Sequence, residues 1–298
     1  MSAAKKVIVC GGNGFLGSRI CKHAVARGWD VTSISRSGEP KWDAVTSSPL
    51  PPSWAHKVSW ERGDILEPST YAPLLKNADY VVHSMGILLE ADYKGVISGK
   101  ESPISGLRKA FAAAPARSSP AAAADPAQQQ QQQRDGSSIK PSDPRDQFSY
   151  ETMNRDSAVT LARYAAAEGA SAFCYISAAA GAPVLPHRYI STKRDAEAAI
   201  AEGFPAMRSV FLRPSLLYDS SRKITLGIAA AASTGSLFNK VTGNVLGGFM
   251  GSAGLRPLQV EAVAQAAVEA LAEDNIQGPV ELDEIDALAS RAWRKTML

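Results

Sequence analysis

Short apolar runs alternate with longer segments in which apolar residues recur every three or four positions. The runs Val7–Val9, Asp30–Ser35, Lys57–Trp60, Tyr80–Ser84, Ala172–Ser177 and Ser209–Arg213 predict six strands, and P-V-E-L at Pro279–Leu282 a shorter one. Helical periodicity falls at Ser18–Arg27, around Tyr71–Leu75, at Tyr150–Glu168, at Ser191–Ala201 and in the alanine-rich Val260–Ala272. Strands that alternate with helices build a parallel sheet covered on both faces. The expected fold class is therefore α/β, a doubly wound parallel sheet.

One segment breaks the alternation. Over residues 112–146 the chain is rich in Ala and Pro, runs through six glutamines at Gln128–Gln133, and continues in Ser, Pro, Asp and Lys. Such a composition buries too little apolar area to offset the entropy of ordering it. It predicts a disordered insertion between the fourth strand and the helix that starts at Tyr150. The whole chain, residues 1–298, reads as one domain that carries this insertion and whose small C-terminal lobe begins at about residue 214. Within that lobe Ile224–Leu255 is rich in Ala, Gly and Leu with Lys240 as its charged residue once Arg222 and Lys223 are passed. A lid over a greasy substrate, a surface resting on a membrane and ordinary helical packing all fit that pattern.

The first strand leads into V-I-V-C-G-G-N-G-F-L-G, residues 7–17. Gly11, Gly14 and Gly17 stand three apart where strand passes into helix. Side chains at the first two would keep the backbone away from a pyrophosphate, and the third lets helix and strand pack closely. The helix N-terminus then offers free N–H groups to phosphate oxygens. Strand, glycine turn and amphipathic helix together predict a dinucleotide-binding Rossmann unit, with Gly12, Asn13, Phe15 and Leu16 completing the loop. An acid about 20 residues beyond the last glycine would accept the adenosine ribose, whereas a base would accommodate a 2′-phosphate. The chain carries Ser35-Arg36-Ser37 there, which favours NADP over NAD. Asp64 and Ile65, just past the third strand, are the expected adenine contact; Ser84, Met85 and Gly86, past the fourth, approach the ribose and nicotinamide.

Composition narrows the partners. The formal net charge is +3 and no basic block is interleaved with aromatics, so nucleic acid is not an expected partner. Cys10, Cys21 and Cys174 lie in apolar patterns and read as buried reduced thiols, and the four histidines make no i, i+4 pair, so no metal site is expected. No apolar run reaches the length of a membrane span. The first 29 residues hold no Asp or Glu and five Lys or Arg, a bias that resembles an import signal, but the same residues build the nucleotide fold. These features leave the compartment open.

G-G-N-G-F-L-G, the G-D-I after strand three, Y-I-S at strand five, Tyr189-Ile-Ser-Thr-Lys193, L-R-P-S at 212–215 and R-P-L-Q-V-E-A-V-A at 256–264 resemble the successive landmarks of the extended and atypical short-chain dehydrogenase/reductases. More narrowly, W-E-R-G-D-I-L, V-V-H-S-M-G-I-L-L-E-A-D-Y-K and F-C-Y-I-S-A-A resemble a fungal mitochondrial group associated with coenzyme Q biosynthesis, itself similar to the Rossmann-type accessory subunit of respiratory complex I. The resemblance implies a mitochondrial location, in the matrix or peripheral on the inner membrane, a hydrophobic substrate such as a quinone intermediate, and membership of a protein complex there. It also implies site residues. Tyr189 and Lys193 share a helix face, so the ammonium is expected to lower the phenol's pKa, hold the nicotinamide ribose and allow proton exchange with a carbonyl or alcohol. Asn154 matches an asparagine that orders a water or a backbone carbonyl, and Pro214 a cofactor contact. The hydroxyl expected beyond strand five is Ser177, followed by Ala178, Ala179 and Ala180 and one position early in that pattern. Ser191 and Thr192 point around their helix away from Tyr189. An NADPH-dependent oxidoreductase and a non-catalytic nucleotide-binding accessory protein both follow from this pattern, as does an isomerase that uses the cofactor transiently.

Overall fold

The computed structural model describes residues 4–46, 48–86, 149–180, 187–219 and 255–297. The insertion at 112–146 and nearly all of 224–255 lie outside them. Seven parallel strands form the sheet: β1 (Lys6–Cys10), β2 (Asp30–Ser35), β3 (Val58–Arg62), β4 (Tyr80–His83), β5 (Ala172–Ile176), β6 (Arg208–Leu212) and, after the two-stranded pair β7 (Leu217–Tyr218) and β8 (Leu258–Gln259), the edge strand β9 (Gly278–Val280). Their order is β3-β2-β1-β4-β5-β6-β9. Strand order therefore reverses at β1, which β2 and β4 flank, and the crevice beyond its carboxyl end is where doubly wound folds seat a ligand.

The strands are apolar on both faces because both are covered. Val7, Val9, Val82, Cys174 and Val210 point toward α1 (Gly17–Ala26), α5 (Val260–Ala272) and α6 (Leu282–Thr296). Ile8, Cys10, Val81, Phe173, Tyr175 and Phe211 point the other way, onto α3 (Ser157–Ala167) and α4 (His187–Gly203). Four buried alanines, Ala264, Ala266, Ala267 and Ala270, give α5 the slim profile that lets it lie between the sheet and its neighbours. The wholly buried Glu269 carboxylate pairs with Arg27 at the end of α1 and Lys295 of α6, fastening three helices to one another. Cys10, Cys21 and Cys174 are free and buried, and burial pushes their thiols up, Cys10 and Cys174 to about 12.

Two expected elements differ. Around Tyr71–Leu75 the chain makes two 3-10 turns, Pro68–Thr70 and Ala72–Leu75, since Pro68 and Pro73 withhold the N–H groups that a continuous helix needs. The helix expected from Tyr150 opens with a wider π-helical stretch, Glu151–Asp156, before α3 takes α geometry. A short α2 (Trp42–Val45) packs Trp42 edge-on against Trp54 and Trp60 in a small core of its own.

Candidate functional site

The glycine loop is shaped by packing at two of its three key positions. Gly11 adopts φ +85°, accessible to glycine at little cost, and a Cβ there would lie 2.7 Å from Met85 Cγ and 3.0 Å from Ser84 Oγ. A Cβ on Gly17 would overlap the Gly11 carbonyl, so α1 can start this close to β1 only without a side chain. Gly12 faces Ser33 and Cys21 in the same confined way. Gly14 is different. A Cβ there would meet only the Gly11 carbonyl oxygen, at 3.2 Å, and its remaining side is open. Among the described residues no acceptor is hydrogen-bonded to the N–H groups of Leu16 and Gly17. An open glycine beside bare N–H groups at a helix start suits a pyrophosphate.

From this loop the cleft continues along the carboxyl edge of the sheet. Ser84, tied to Cys10 O by both its N–H and its hydroxyl at 3.0 Å, and Met85 lie against Gly11. Gly86 follows, where a Cβ would sit 2.9 Å from Asn154 Oδ1 and 3.5 Å from Lys193 Nζ. The π-helical turn carries Asn154 to this point, and such turns recur at functional sites because they re-aim one side chain within a helix. Asn154 is fully buried, and its carbonyl accepts the Tyr175 hydroxyl at 2.5 Å. Lys193, also buried, donates to Ile176 O at 3.0 Å and to the Tyr175 hydroxyl at 3.5 Å. Its ammonium is 5.9 Å from the centre of the Tyr189 ring, which packs edge-on against Tyr150.

On the other side of the loop, the Ser35 hydroxyl donates to Gly38 O at 2.8 Å, the exposed Arg36 follows, and Asn13 Nδ2 donates to Ser37 Oγ at 2.7 Å. Asp64 Oδ1 accepts the Leu66 N–H at 3.0 Å, and the Ile65 side chain enters the core with Ile8 and Tyr71, leaving its backbone toward the sheet edge. Pro214 O accepts the Ala179 N–H at 2.9 Å.

The electrostatics depart from expectation at the Tyr189–Lys193 pair. Burial pushes the Tyr189 phenol up to about 12 rather than down. The same desolvation lowers Lys193 to about 7, with Glu197 opposing and Arg194 adding to the fall. The ammonium donates to Ile176 and Tyr175, and among the described residues no hydrogen bond joins it to the Tyr189 hydroxyl. Ser177 is likewise engaged elsewhere. Its hydroxyl donates to Glu197 Oε1 at 2.5 Å and accepts from Arg194 Nη1 at 3.0 Å, while Arg213 braces Glu197 from the other side. Arg194 Nη2 holds the carbonyls of Ala178 and Ala179 at 2.7 and 3.0 Å. Thr192 bonds back to Arg188 O and Tyr189 O of its own helix, away from the cleft. Tyr175, Glu197 and Arg194 were not singled out from sequence. The signal for two of them was present: Glu197 stands one turn past Lys193, and Tyr175 alternates with Phe173 and Ser177 along a strand.

Residues 7–92 match the model of the NAD dependent epimerase/dehydratase family. MIOREX complex component 2 of Saccharomyces cerevisiae is 36% identical over 231 residues, which is 73% of this chain and 74% of that protein. The chain belongs to this family, the extended short-chain dehydrogenase/reductases. An uncharacterized chloroplastic protein of Arabidopsis thaliana is 39% identical over 83 residues, 28% of this chain and 25% of that protein. Among solved structures, UDP-N-acetylglucosamine 4-epimerase of Methanobrevibacter ruminantium M1 superposes with a TM-score of 0.52 at 16% identity, covering 94% of this chain and 77% of that one. UDP-glucuronic acid 4-epimerase of Bacillus cereus, solved with NAD, gives 0.53 at 15%, covering 93% and 78%. At such identities these two establish the shared fold. Among the described residues of this family member, no helix is long and apolar enough to cross a membrane.

Proposed function

We propose that the chain binds NADPH along this cleft and uses it, in the mitochondrion, to reduce a hydrophobic quinone intermediate of coenzyme Q metabolism. The observation that carries the reading is the position of Gly86, where a Cβ would meet Asn154 and Lys193 and which follows the Ser84 and Met85 side chains lying beside Gly11. One crevice thus joins a phosphate cradle to a set of proton-bearing groups. Membership of an NAD dependent family supports the nucleotide, and the yeast relative's place in a complex supports a role beside other proteins. Residues 11–17 would hold the pyrophosphate, Ser35 and Arg36 the adenosine ribose, Asp64 and Ile65 the adenine, and Ser84, Met85, Gly86 and Pro214 the nicotinamide end. Arg36 in place of an acid favours NADPH over NADH. When bound, the nucleotide supplies hydride. Tyr189, its pKa near 12, keeps its proton at neutral pH and is suited to donate it to a substrate oxygen, the direction of reduction. Lys193, fixed by Ile176 and Tyr175, would hold the nicotinamide ribose, and the Asn154 backbone carbonyl in turn holds the Tyr175 hydroxyl.

A second reading follows from Ser177. With its hydroxyl given to Glu197 and alanine at the next three positions, no hydroxyl of that segment is available to polarise a substrate carbonyl. A nucleotide-binding accessory protein of the same machinery has no need of one. The two readings separate in cells that lack the protein and express single variants, with coenzyme Q and its precursors measured by mass spectrometry. The reductase reading predicts that a stably expressed Tyr189→Phe fails to restore coenzyme Q, because a general acid contributes about 10²–10⁴ in rate. Full rescue by Tyr189→Phe, with no rescue by Gly14→Val, would leave the accessory role.

A further inference from the structure

We propose that Arg62 joins Arg36 in a two-guanidinium seat for the 2′-phosphate of the bound nucleotide and thereby sets its preference for NADPH; this rests on the NADPH reading above. Arg62 closes β3, and parallel pairing sets it opposite Ser35, the last residue of β2. It therefore stands at the same carboxyl edge as Arg36. The turn after β2 brings the two together. The Gly38 N–H returns to Ser35 O at 3.3 Å, the Ser35 hydroxyl reaches Gly38 O at 2.8 Å, and Gly63 N–H, next to Arg62, also bonds Ser35 O at 3.1 Å. Gly38 takes φ +75°, and a Cβ on it would lie 3.4 Å from Arg62 Cγ and 3.7 Å from Arg62 Nε. The Arg62 stem thus lies across the turn that carries Arg36 and Ser37. Asn13 of the glycine loop holds Ser37 Oγ, so the turn is fixed to the phosphate cradle on its other side.

Among the described residues the Arg62 guanidinium makes no hydrogen bond and no ion pair. Acids stand nearby in sequence, yet Glu39 Oε1 accepts the Trp42 Nε1–H at 2.9 Å, and among the described residues no ion pair joins Glu61 to Arg62. An exposed arginine whose stem is seated while its planar fork stays uncommitted is suited to a phosphate, which accepts two parallel N–H bonds from it. A ribose hydroxyl offers neither the charge nor the oxygens. The contact should therefore discriminate between the two dinucleotides rather than strengthen both.

Isothermal titration of the full chain with NADPH, NADH and 2′,5′-ADP tests this. Arg62→Ala is expected to weaken NADPH and 2′,5′-ADP by about tenfold or more, the strength of one charge-assisted hydrogen bond, and to leave NADH nearly unchanged. Arg62→Gln, which keeps the stem, should lose the same discrimination, so that a packing defect in the alanine variant cannot mimic the result. If the wild-type protein binds NADPH no better than NADH, or binds neither, the NADPH reading fails and the inference with it. If the wild type prefers NADPH and Arg36→Ala abolishes the preference while both Arg62 variants keep it, the NADPH reading stands and the role of Arg62 is overturned. Equal losses for NADPH and NADH in both variants would also overturn it, since they would mark a structural role.

Discussion

At the scale of single residues the three glycines of the loop serve different ends, and substitutions separate them. Gly17 is demanded by the fold, because any side chain there overlaps the Gly11 carbonyl, whereas Gly14 has only one atom of the protein near its missing Cβ. Gly14→Val is therefore expected to keep the melting temperature within about 2–4 °C of wild type, a change of about 1 kcal/mol for a chain of this size. It should nevertheless abolish titration heat with either dinucleotide, since the branched side chain fills the space of the pyrophosphate. Gly17→Val should lose the fold itself. A Gly14→Val protein that binds nucleotide normally would remove the phosphate from this loop. The same residue-scale contrast explains what sequence could convey. Spacing located Tyr189 and Lys193 on one helix face, but whether an ammonium depresses a phenol depends on where its hydrogen bonds go. Those partners, Ile176 O and Tyr175, come from the preceding strand, 17 and 18 residues back, and the register that brings them to Lys193 is set by tertiary packing.

At the scale of elements, local pattern reached furthest where one face had to be buried. β2 and α5 occupy the expected residues, and α1, β4, β5 and β6 differ by a residue or so at their ends. α4 begins four residues earlier than expected and ends two later. The final helix α6 was missed although its signal is present: Leu282, Ile285 and Leu288 recur at helical spacing, with acids in the first turn and bases in the last. The β7–β8 pair could not be read locally, since Leu217 meets Leu258 across a long intervening segment. That juncture is also where the glycine loop meets the C-terminal part. Arg19 of α1 donates to Phe15 O at 3.2 Å, stacks over the Phe15 ring and pairs with Asp219, just past β7, at 2.5 Å. Both partners are largely buried; without Asp219 the Arg19 guanidinium keeps, among the described residues, only the Glu261 carboxylate, at 3.9 Å, so the loss is expected to stay below that of a wholly unpaired buried charge, about 3–5 kcal/mol. Asp219→Ala should lower the urea midpoint accordingly. It should also weaken nucleotide binding, because Arg19, with the Ser18 hydroxyl, holds the Phe15 carbonyl beside the loop. A midpoint within experimental error of wild type would show that the pair contributes no net stability.

For the molecule as a whole, the buried histidine, lysine and glutamates give its stability one direction with pH up to about 9.0, the ordinary thiol value above which the raised buried thiols and phenols act with the opposite sign. His83 of β4 is fully buried, with Nε2 2.9 Å from Ser157 Oγ. The Ser157 hydroxyl spends its proton on Met153 O at 2.9 Å, so it can only accept from the histidine. This assigns the neutral tautomer with hydrogen on Nε2, and Nδ1 is left without a partner among the described residues. A proton on Nδ1 would place a charge inside the core and beside Lys193; burial first, then that lysine, holds His83 down to about 3. The unfolded chain takes up this proton near 6.5, so between those values it binds more protons than the native state, and acid favours unfolding. Lys193, lowered to about 7, acts with the same sign between 7 and its ordinary 10.5, where its own contribution to stability rises with pH. Glu261 and Glu269, each held near 2 by cationic partners, add to the loss below the carboxylate range. The window between pH 6.5 and 4.5 belongs chiefly to His83 among these four. Across it, urea unfolding of the wild type should lose stability with a slope approaching about 1.4 kcal/mol per pH unit, the equivalent of one proton. His83→Gln, whose amide can still donate to Ser157, should flatten that slope by the same amount while keeping the loss at lower pH. Parallel slopes for the two proteins across this window would mean that the unfolding chain takes up its proton at another group.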